Sequence, residues 1–335
     1  MTVETAAKFP ESEQPSHPPR TRDRPTDPAI LSPLGPFKGE KPPAPAWFER
    51  ALARAPERGF VEVEGARIET LSWGARGKPG LLLMHGNGAN ADWYSFIAPF
   101  FADDYRVTAM SWSGMGRSDW RTGYSLDQFG REAMAAAEGT GLFEASVKPV
   151  FVAHSFGGDV AMRLAMVAGE RLAGTVVLDN VPRPPHLRWS GPPSTGRPVN
   201  VYPDLTAALA RFRLMPPQGC ENLFIVDYIA RHSLRPEGES GGQVWRFDPN
   251  IWVSLDRSVP FIPEEWLPGA RCPLAFIWGE RSQLVPDEAL TYTRPHLSPG
   301  TPMAAIPDSD HHVMLDQPLA TVAALRSLLA AWPRT

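Results

Sequence analysis

The segment VFVAHSFGGDV, residues 150–160, places a serine between an apolar run and a helical pattern. An apolar run leads into His154 and Ser155, and two glycines follow before a helical pattern resumes. A sharp turn from a buried strand into a helix would expose Ser155 and supply a backbone donor to the oxyanion formed when it attacks a carbonyl. Such a turn needs small residues two positions before and after the serine, as Ala153 and Gly157 are. The sequence predicts a nucleophile; the alternative is a serine that only caps the helix.

Short apolar runs recur on both sides of this segment. They read GLLLMHG, YRVTAMSW, PVFVAH, LAGTVVLDN, PLAFIWG and TPMAAIPD, and helical patterns lie between them at 126–137, 157–168, 287–296 and 319–332. Runs of this kind are typical of parallel strands that are buried on both faces. Earlier, FVEVEGARIETLSW alternates on both sides of Glu64 and Gly65, which predicts an antiparallel hairpin. We therefore expect an α/β fold with a mostly parallel central sheet and helices on both faces.

Three parts of the chain differ in composition. Residues 1–45 are rich in proline among polar neighbours, and we expect an extension without helix or packed sheet. Residues 46–181 and 269–335 carry the alternating pattern of the core domain. Residues 182–268 interrupt it, and we interpret them as a mainly helical cap insertion, because structureless loops of that length are uncommon. Its aromatic residues are Trp189, Tyr202, Phe212, Phe224, Tyr228, Trp245, Phe247, Trp252 and Phe261.

Charge and cysteine content exclude several classes of protein. The 335 residues include 33 basic and 37 acidic side chains, for a net charge of −4, without a basic run. We therefore expect no nucleic-acid partner. Cys220 and Cys272 are far apart, which predicts neither a disulfide framework nor a zinc site. No apolar stretch is long enough to span a bilayer and no signal pattern is present, so we expect a cytoplasmic protein without a membrane partner. It could form a homo-oligomer.

The stretch AHSFG, after its buried strand, resembles the G-x-S-x-G nucleophile elbow of the α/β-hydrolase fold superfamily, with Ala153 in place of the first glycine. The stretch LLLMHGNGAN is similar to the His-Gly turn of that family. The resemblance implies that the backbone N–H groups of Asn87 and Phe156 form the oxyanion hole. The stretch SWSGMGRSDW resembles a structural Gly-x-Gly-x-Ser turn, but has Ser111 where the family often has Asp.

The stretch DSDHHVMLDQPL resembles the family's C-terminal His-x-x-x-Leu-(Asp/Glu)-x-Pro signature. Counting back from Leu315 selects His311 as the general base, and His312 is the alternative. With Ser155, this gives two members of a serine hydrolase triad in the expected chain order.

The third member of a triad is a carboxylate that orients the histidine, and several positions could supply it. Most relatives carry it in the slot that Ser282 occupies, and serine cannot supply a charge. Asp179 follows the strand after the elbow, where haloalkane dehalogenase-like members carry their acid. Glu280 lies two residues before the vacant slot and is the alternative. Asp308, Asp310 or a dyad without an acid remain open as well.

The resemblance implies a serine hydrolase that cleaves a carboxylic ester or lactone through an acyl-enzyme. The aromatic insertion suggests an apolar substrate of small to medium size, in a pocket that we expect to be lined by His85, His154, Trp112 and Trp252. No metal and no organic cofactor is implied. The fold alone does not separate this reaction from C–C bond hydrolysis, acyl transfer or ligand binding without turnover.

Overall fold

A computed structural model of the chain describes residues 26–188, 198–238, 241–258 and 262–332. Most of the proline-rich extension, residues 1–25, lies outside these ranges, as do Trp189 and Phe261 of the insertion. Within the described ranges, no helix combines the length and the hydropathy that crossing a membrane would require.

The described residues form ten strands. They are β1 (Glu57–Val63), β2 (Ala66–Trp73), β3 (Gly80–Met84), β4 (Arg106–Met110), β5 (Val150–His154), β6 (Gly174–Leu178), β7 (Leu234–Glu237), β8 (Gly242–Trp245), β9 (Leu274–Gly279) and β10 (Met303–Ile306). Eight of them build one sheet in the order β1-β2-β4-β3-β5-β6-β9-β10. The pairs β1·β2 and β2·β4 are antiparallel and the others are parallel. The predicted hairpin is confirmed, and its turn lies at Glu64 and Gly65, both with positive φ.

Helices connect the strands. They are α1 (Pro28–Leu31), α2 (Ala46–Ala53), α3 (Leu126–Gly139), α4 (Phe156–Ala168), α5 (Leu205–Leu209), α6 (Leu223–His232), α7 (Pro263–Trp266), α8 (Asp287–Thr293), α9 (Val313–Asp316) and α10 (Pro318–Ala331). The predicted α/β architecture is thereby confirmed.

Both faces of the sheet are buried because alternate side chains of the central strands enter two different apolar clusters. In β3, Leu81 and Leu83 belong to one cluster, whereas Leu82 and Met84 belong to the other. Strand β5 alternates in the same way. The parallel strands β3, β5, β6 and β9 end at the same edge of the sheet, where α/β folds form their sites.

The described part of the insertion is not mainly helical, so for these residues that part of the prediction is wrong. Its described residues contain the short helices α5 to α7, irregular chain and an antiparallel hairpin of β7 and β8. Gly238 and Gly241 next to these strands have φ values of 65° and 75°, which glycine adopts without steric cost. Pro236 is tolerated in β7 because this strand lies at the edge of a two-stranded ribbon.

The prediction that residues 1–45 contain no helix is wrong at α1. Proline fits the first turn of a helix, where its missing N–H costs nothing. The Asp27 side chain caps this turn by accepting a hydrogen bond from Ala29 N at 2.8 Å. The segment packs against the insertion, because Ser32 Oγ donates to the carbonyl of Ala210 at 2.6 Å and Leu34 is buried.

Candidate active site

Ser155 lies between β5 and α4 in a backbone conformation that is rare for a residue with a side chain. Its φ is 52° and its ψ is −122°, a conformation of the kind that costs about 1–3 kcal/mol and clusters at functional sites. The turn is held by Ser155 N, which donates to Leu178 O at 2.9 Å, and by Asn180 Nδ2, which donates to Ser155 O at 2.8 Å. The half-buried side chain forms no capping hydrogen bond to α4. The structure therefore gives Ser155 no helix-capping role.

Glycines let the loop after β3 pass directly beside Ser155. A Cβ at Gly86 would lie 3.0 Å from Ser155 Cβ and 3.1 Å from His154 Nδ1. A Cβ at Gly157 would lie 2.7 Å from the His85 carbonyl oxygen. Side chains at either position would force the elbow and this loop apart.

The two predicted oxyanion donors belong to this region of close approach. Phe156 is the first residue of α4, so its N–H has no acceptor within the helix. Asn87 follows Gly86 directly and is exposed to solvent. The next residue, Gly88, has a φ of 70° and donates its N–H to Met115 Sδ at 3.3 Å. Asn87 and Phe156 thus lie in the two segments that flank Ser155, and their role as oxyanion donors stays a prediction.

His85 and Trp112 form hydrogen bonds that hold the loop after β3 in place. Trp112 N donates to His85 Nε2 at 3.2 Å, so the proton of the neutral ring is on Nδ1, which donates to Gly86 O at 2.6 Å. Burial lowers the pKa of His85 to about 4. Trp112 Nε1 donates to His85 O at 2.9 Å. Trp112 has no exposed surface and His85 has 1%, and their place in a substrate pocket stays a prediction.

His311 is oriented by Asp179. Its Nδ1 lies 2.6 Å from Asp179 Oδ2, and both side chains are almost fully buried. The His311 carbonyl accepts a hydrogen bond from His154 Nε2 at 2.9 Å, which joins the loop before α9 to the end of β5. An Nδ1–H bonded to a carboxylate leaves the lone pair on Nε2, as a general base requires.

Asp179 is held by two further donors. Gly279 N donates to Oδ1 at 2.7 Å, and Ser282 Oγ donates to Oδ2 at 2.6 Å. Its φ of 50° is, like that of Ser155, a positive value in a residue with a side chain. From the sequence, Ser282 indicated only that the usual acid is absent from this slot. The structure makes it a hydrogen-bond donor to the carboxylate that contacts His311.

Among the described residues, none of the other candidate acids forms a side-chain hydrogen bond or ion pair with His311. Glu280 is exposed and its Oε2 accepts from Asp308 N at 3.2 Å. Asp308 is itself exposed and pairs with Arg281. Asp310 N donates to Asp316 Oδ2 at 2.8 Å.

His312, the alternative base, lies in a buried group of three imidazoles with His154 and His311. One ring nitrogen from each could serve as a metal ligand, and these atoms lie within 4.8 Å of one another. Burial, reinforced by proximity to His311, lowers the pKa of His154 and of His312 well below the usual value for histidine. His312 N donates to Gln218 Oε1 at 3.2 Å, and its ring faces Trp93 with centroids 5.5 Å apart.

Of the predicted pocket residues, Trp252 is partly exposed. Its ring packs edge-on against Phe156, with centroids 5.3 Å apart. A side chain of the insertion thus covers the residue that follows Ser155.

The comparisons with known proteins agree with this fold. The family profile described as "Alpha/beta hydrolase family" matches residues 81–325. The structure is similar to that of E-2-(acetamidomethylene)succinate hydrolase, with a TM-score of 0.68 and 18% identity, over 82% of this chain and 100% of that one.

Two curated relatives share parts of the sequence. The non-heme chloroperoxidase of Streptomyces lividans is 33% identical over 45% of this chain and 53% of its own length. The pimeloyl-[acyl-carrier protein] methyl ester esterase of Edwardsiella ictaluri is 29% identical over 32% of this chain and 38% of its own. The chain therefore spans about half or less of the length of these relatives.

Proposed function

Because this chain belongs to the alpha/beta hydrolase family, we propose that it is a serine hydrolase that cleaves a carboxylic ester or lactone through an acyl-enzyme. The observation that carries the proposal is the 2.6 Å contact between His311 Nδ1 and Asp179 at the edge of the sheet where Ser155 forms a strained turn. The similarity to a methyl ester esterase supports the same reaction class.

The proposed reaction begins when Ser155 Oγ attacks the carbonyl carbon and His311 Nε2 accepts its proton. Asp179 stabilises the imidazolium by its hydrogen bond to Nδ1. The N–H groups of Asn87 and Phe156 bind the oxyanion of the tetrahedral intermediate. The C–O bond to the leaving alcohol breaks as His311 returns the proton, and water then cleaves the acyl-enzyme by the same steps.

Ser155 Oγ forms no hydrogen bond among the described residues. Catalytic hydrogen bonds of this type are often long before substrate binds and tighten in the Michaelis complex. The proposal therefore requires that a bound ester brings Ser155 Oγ and His311 Nε2 together.

The insertion supports an apolar substrate. Trp252 lies against Phe156, next to one of the proposed oxyanion donors. We propose that Trp252 contacts the acyl or alcohol group of a small to medium apolar ester or lactone, and that polar groups are recognised mainly at the carbonyl.

The proposal is tested with p-nitrophenyl acetate and butyrate and with a fluorophosphonate probe. Ser155→Ala should lower kcat/KM by about a thousandfold or more, because the nucleophile is removed, and should abolish labelling. Ser327→Ala, an exposed serine on α10, is the matched control and should leave both unchanged. Hydrolysis or labelling that survives in Ser155→Ala, or the absence of labelling in the unaltered protein, would contradict the proposal.

A further inference from the structure

Three histidine rings meet beside Ser155, and the proposed reaction uses only one of them. His154 ends β5, and His311 and His312 precede α9. The ring centroids of His154 and His311 are 4.7 Å apart, those of His154 and His312 5.3 Å, and those of His311 and His312 4.7 Å. Each side chain is at most 4% exposed.

Lone pairs remain on these rings after the hydrogen bonds are assigned. Both ring nitrogens of His312 lack a hydrogen-bond partner among the described residues. The backbone of Met215 nevertheless lies close enough to the ring to oppose part of the lowering of its pKa. His154 Nε2 donates to the His311 carbonyl, which leaves the lone pair on Nδ1. A buried polar atom without a partner costs about 1–3 kcal/mol, so its presence needs a physical reason.

The spacing of the rings fits a shared metal ion. With metal–nitrogen distances of about 2.0–2.1 Å and tetrahedral angles, three imidazole centroids lie about 5 Å apart. The observed separations of 4.7–5.3 Å agree with this value. The candidate nitrogens, at most 4.8 Å apart, must approach to about 3.4 Å in such a site. Rotation of the rings about their side-chain bonds, with small shifts of the loop before α9, would bring them together.

An ion would approach this group from the side on which Ser155 is exposed. Ser155 is half-buried, so part of its surface is open to solvent. The missing Cβ of Gly86 would lie 3.0 Å from Ser155 Cβ and 3.1 Å from His154 Nδ1, so this nitrogen faces the same side of the loop as Ser155.

We propose that His154, His311 and His312 bind one divalent transition metal ion, such as Zn²⁺, Ni²⁺ or Cu²⁺, and that binding blocks the proposed hydrolysis. An all-imidazole ligand set favours these ions over Mg²⁺ and Ca²⁺. The ion takes the lone pair of His311 Nε2 that would otherwise accept the Ser155 proton. Inhibition rests on the proposed function, whereas binding does not.

Binding is measured by titration calorimetry of Zn²⁺ and Ni²⁺ into the metal-free Ser155→Ala protein, which needs no turnover. We expect one ion per chain. His312→Asn in that background should weaken binding by at least about tenfold, because one of three ligands is lost. His186→Gln, at a histidine whose side chain is 48% exposed, is the control and should bind like the parent. Absence of binding at millimolar Zn²⁺, or equal binding by the His312→Asn protein, overturns the proposal.

A spectroscopic readout covers the case in which His312→Asn does not fold. Co²⁺ bound by three imidazoles in a tetrahedral site should give intense visible absorption in the Ser155→Ala protein, and His154→Asn should abolish it. An octahedral, weakly absorbing Co²⁺ spectrum would overturn the three-histidine site.

The inhibitory step is tested on the protein with Ser155 intact. Zn²⁺ should inhibit ester hydrolysis over the concentration range in which it binds, and EDTA should restore the rate. Binding together with turnover that Zn²⁺ leaves unaffected overturns the inhibitory step. Binding to a protein without any ester turnover supports the metal site and contradicts the proposed function instead.

Discussion

Two residues with side chains, Ser155 and Asp179, adopt positive φ values at the ends of neighbouring parallel strands. Such conformations persist only where the surroundings enforce them. Asn180 and the backbone of β6 hold Ser155, and Gly279 and Ser282 hold Asp179. Two of the five described non-glycine residues with positive φ are thus the ones that the proposed reaction must orient.

Asp179→Asn tests the assignment of the acid. The amide cannot stabilise the imidazolium and can hold His311 in the wrong tautomer, so kcat should fall by about a thousandfold or more. Glu280→Gln is the matched control and should retain activity, because Glu280 is exposed and contacts Asp308. The measurement is steady-state hydrolysis of a p-nitrophenyl ester. An equal loss in Glu280→Gln would reject Asp179 as the sole acid.

The contact between Asp179 and Ser282 also predicts that a second substitution can restore part of the activity lost in Asp179→Asn. Ser282 Oγ lies 2.6 Å from the carboxylate oxygen that contacts His311. A carboxylate at position 282 therefore starts within reach of the same imidazole. Ser282→Asp combined with Asp179→Asn should recover at least about tenfold of the lost kcat. Ser282→Asn in the same background should give no recovery. Asparagine matches aspartate in size but carries no charge, so the two variants separate the effect of charge from that of size.

Asp316 predicts a pH dependence of stability. Burial raises its pKa to about 6, above the value of about 3.9 for an unfolded chain. Because the pKa of this carboxyl group is higher in the folded state, its contribution to the free energy of unfolding is fully present below about pH 4. The contribution is lost as the pH rises to about 6. Asp316→Asn should therefore gain stability relative to the unaltered protein, by about 1–2 kcal/mol, between about pH 4.5 and about pH 7.5.

Thermal melts of both proteins at the two pH values measure this change. Asp104→Asn is the control, because Asp104 is exposed and pairs with Arg326 on the surface. Its difference from the unaltered protein should be nearly the same at both pH values. A pH-independent difference for Asp316→Asn would show that Asp316 is not destabilised by ionisation in the folded state.

At the scale of elements, the sequence predicted the apolar strands of the central sheet and missed the short hairpin of β7 and β8. Strands β3, β5 and β6 are buried at every position and almost entirely apolar, so their composition alone distinguishes them. The hairpin of β7 and β8 has four residues in each strand, is only partly buried, and contains a proline. Too few side chains alternate there for a period to be recognised.

The sequence favoured Asp179 as the acid but could not exclude Glu280, for a geometric reason. Asp179 and Glu280 follow the ends of β6 and β9, which are neighbours in the sheet, so both could reach one histidine. Only the directions of the side chains separate them, and Glu280 turns toward Asp308. Spacing along the chain carries no information about that direction.

A buried carboxylate on β2 supports the loop after β3, which carries Asn87. Glu69 has no exposed surface, and its Oε2 accepts from Ser111 Oγ at 2.8 Å and from Arg117 N at 2.9 Å. Ser111 Oγ in turn accepts from Ala91 N at 2.9 Å, where the loop after β3 ends. Arg58 forms an ion pair with Glu69. Glu69 thus supplies the charge that Ser111, in place of the family's aspartate, does not.

Glu69→Gln should therefore disturb the loop that carries Asn87. We expect kcat to fall by about tenfold, with a smaller change in KM, because the oxyanion contact forms mainly in the transition state. Adding Ser111→Asp should restore part of the rate, which loss of general stability would not allow. Glu62→Gln, at an exposed position on β1, is the control. A fall in melting temperature without a change in kcat would contradict a positioning role.

At the scale of the whole molecule, the segment before β1 joins the insertion to the core. Arg231 on α6 donates to the Gly39 carbonyl at 2.7 Å. On α2, the Phe48 ring lies 5.9 Å from Phe96 of the core and 4.9 Å from Phe224 of the insertion. The insertion is therefore fixed over the sheet partly by residues that precede the core strands.

Phe48→Ala tests this connection. Phe48 is 4% exposed and contacts both the core and α6, and replacement of a buried phenylalanine by alanine costs about 3–5 kcal/mol. Because the lost contacts join the insertion to the core, KM for a p-nitrophenyl butyrate substrate should rise more than kcat falls. Phe60→Ala, at an exposed phenylalanine on β1, is the control and should change neither stability nor KM appreciably. Unfolding transitions by circular dichroism and steady-state kinetics measure both effects, and a stable Phe48→Ala protein with unaltered KM would show that α2 does not position the insertion.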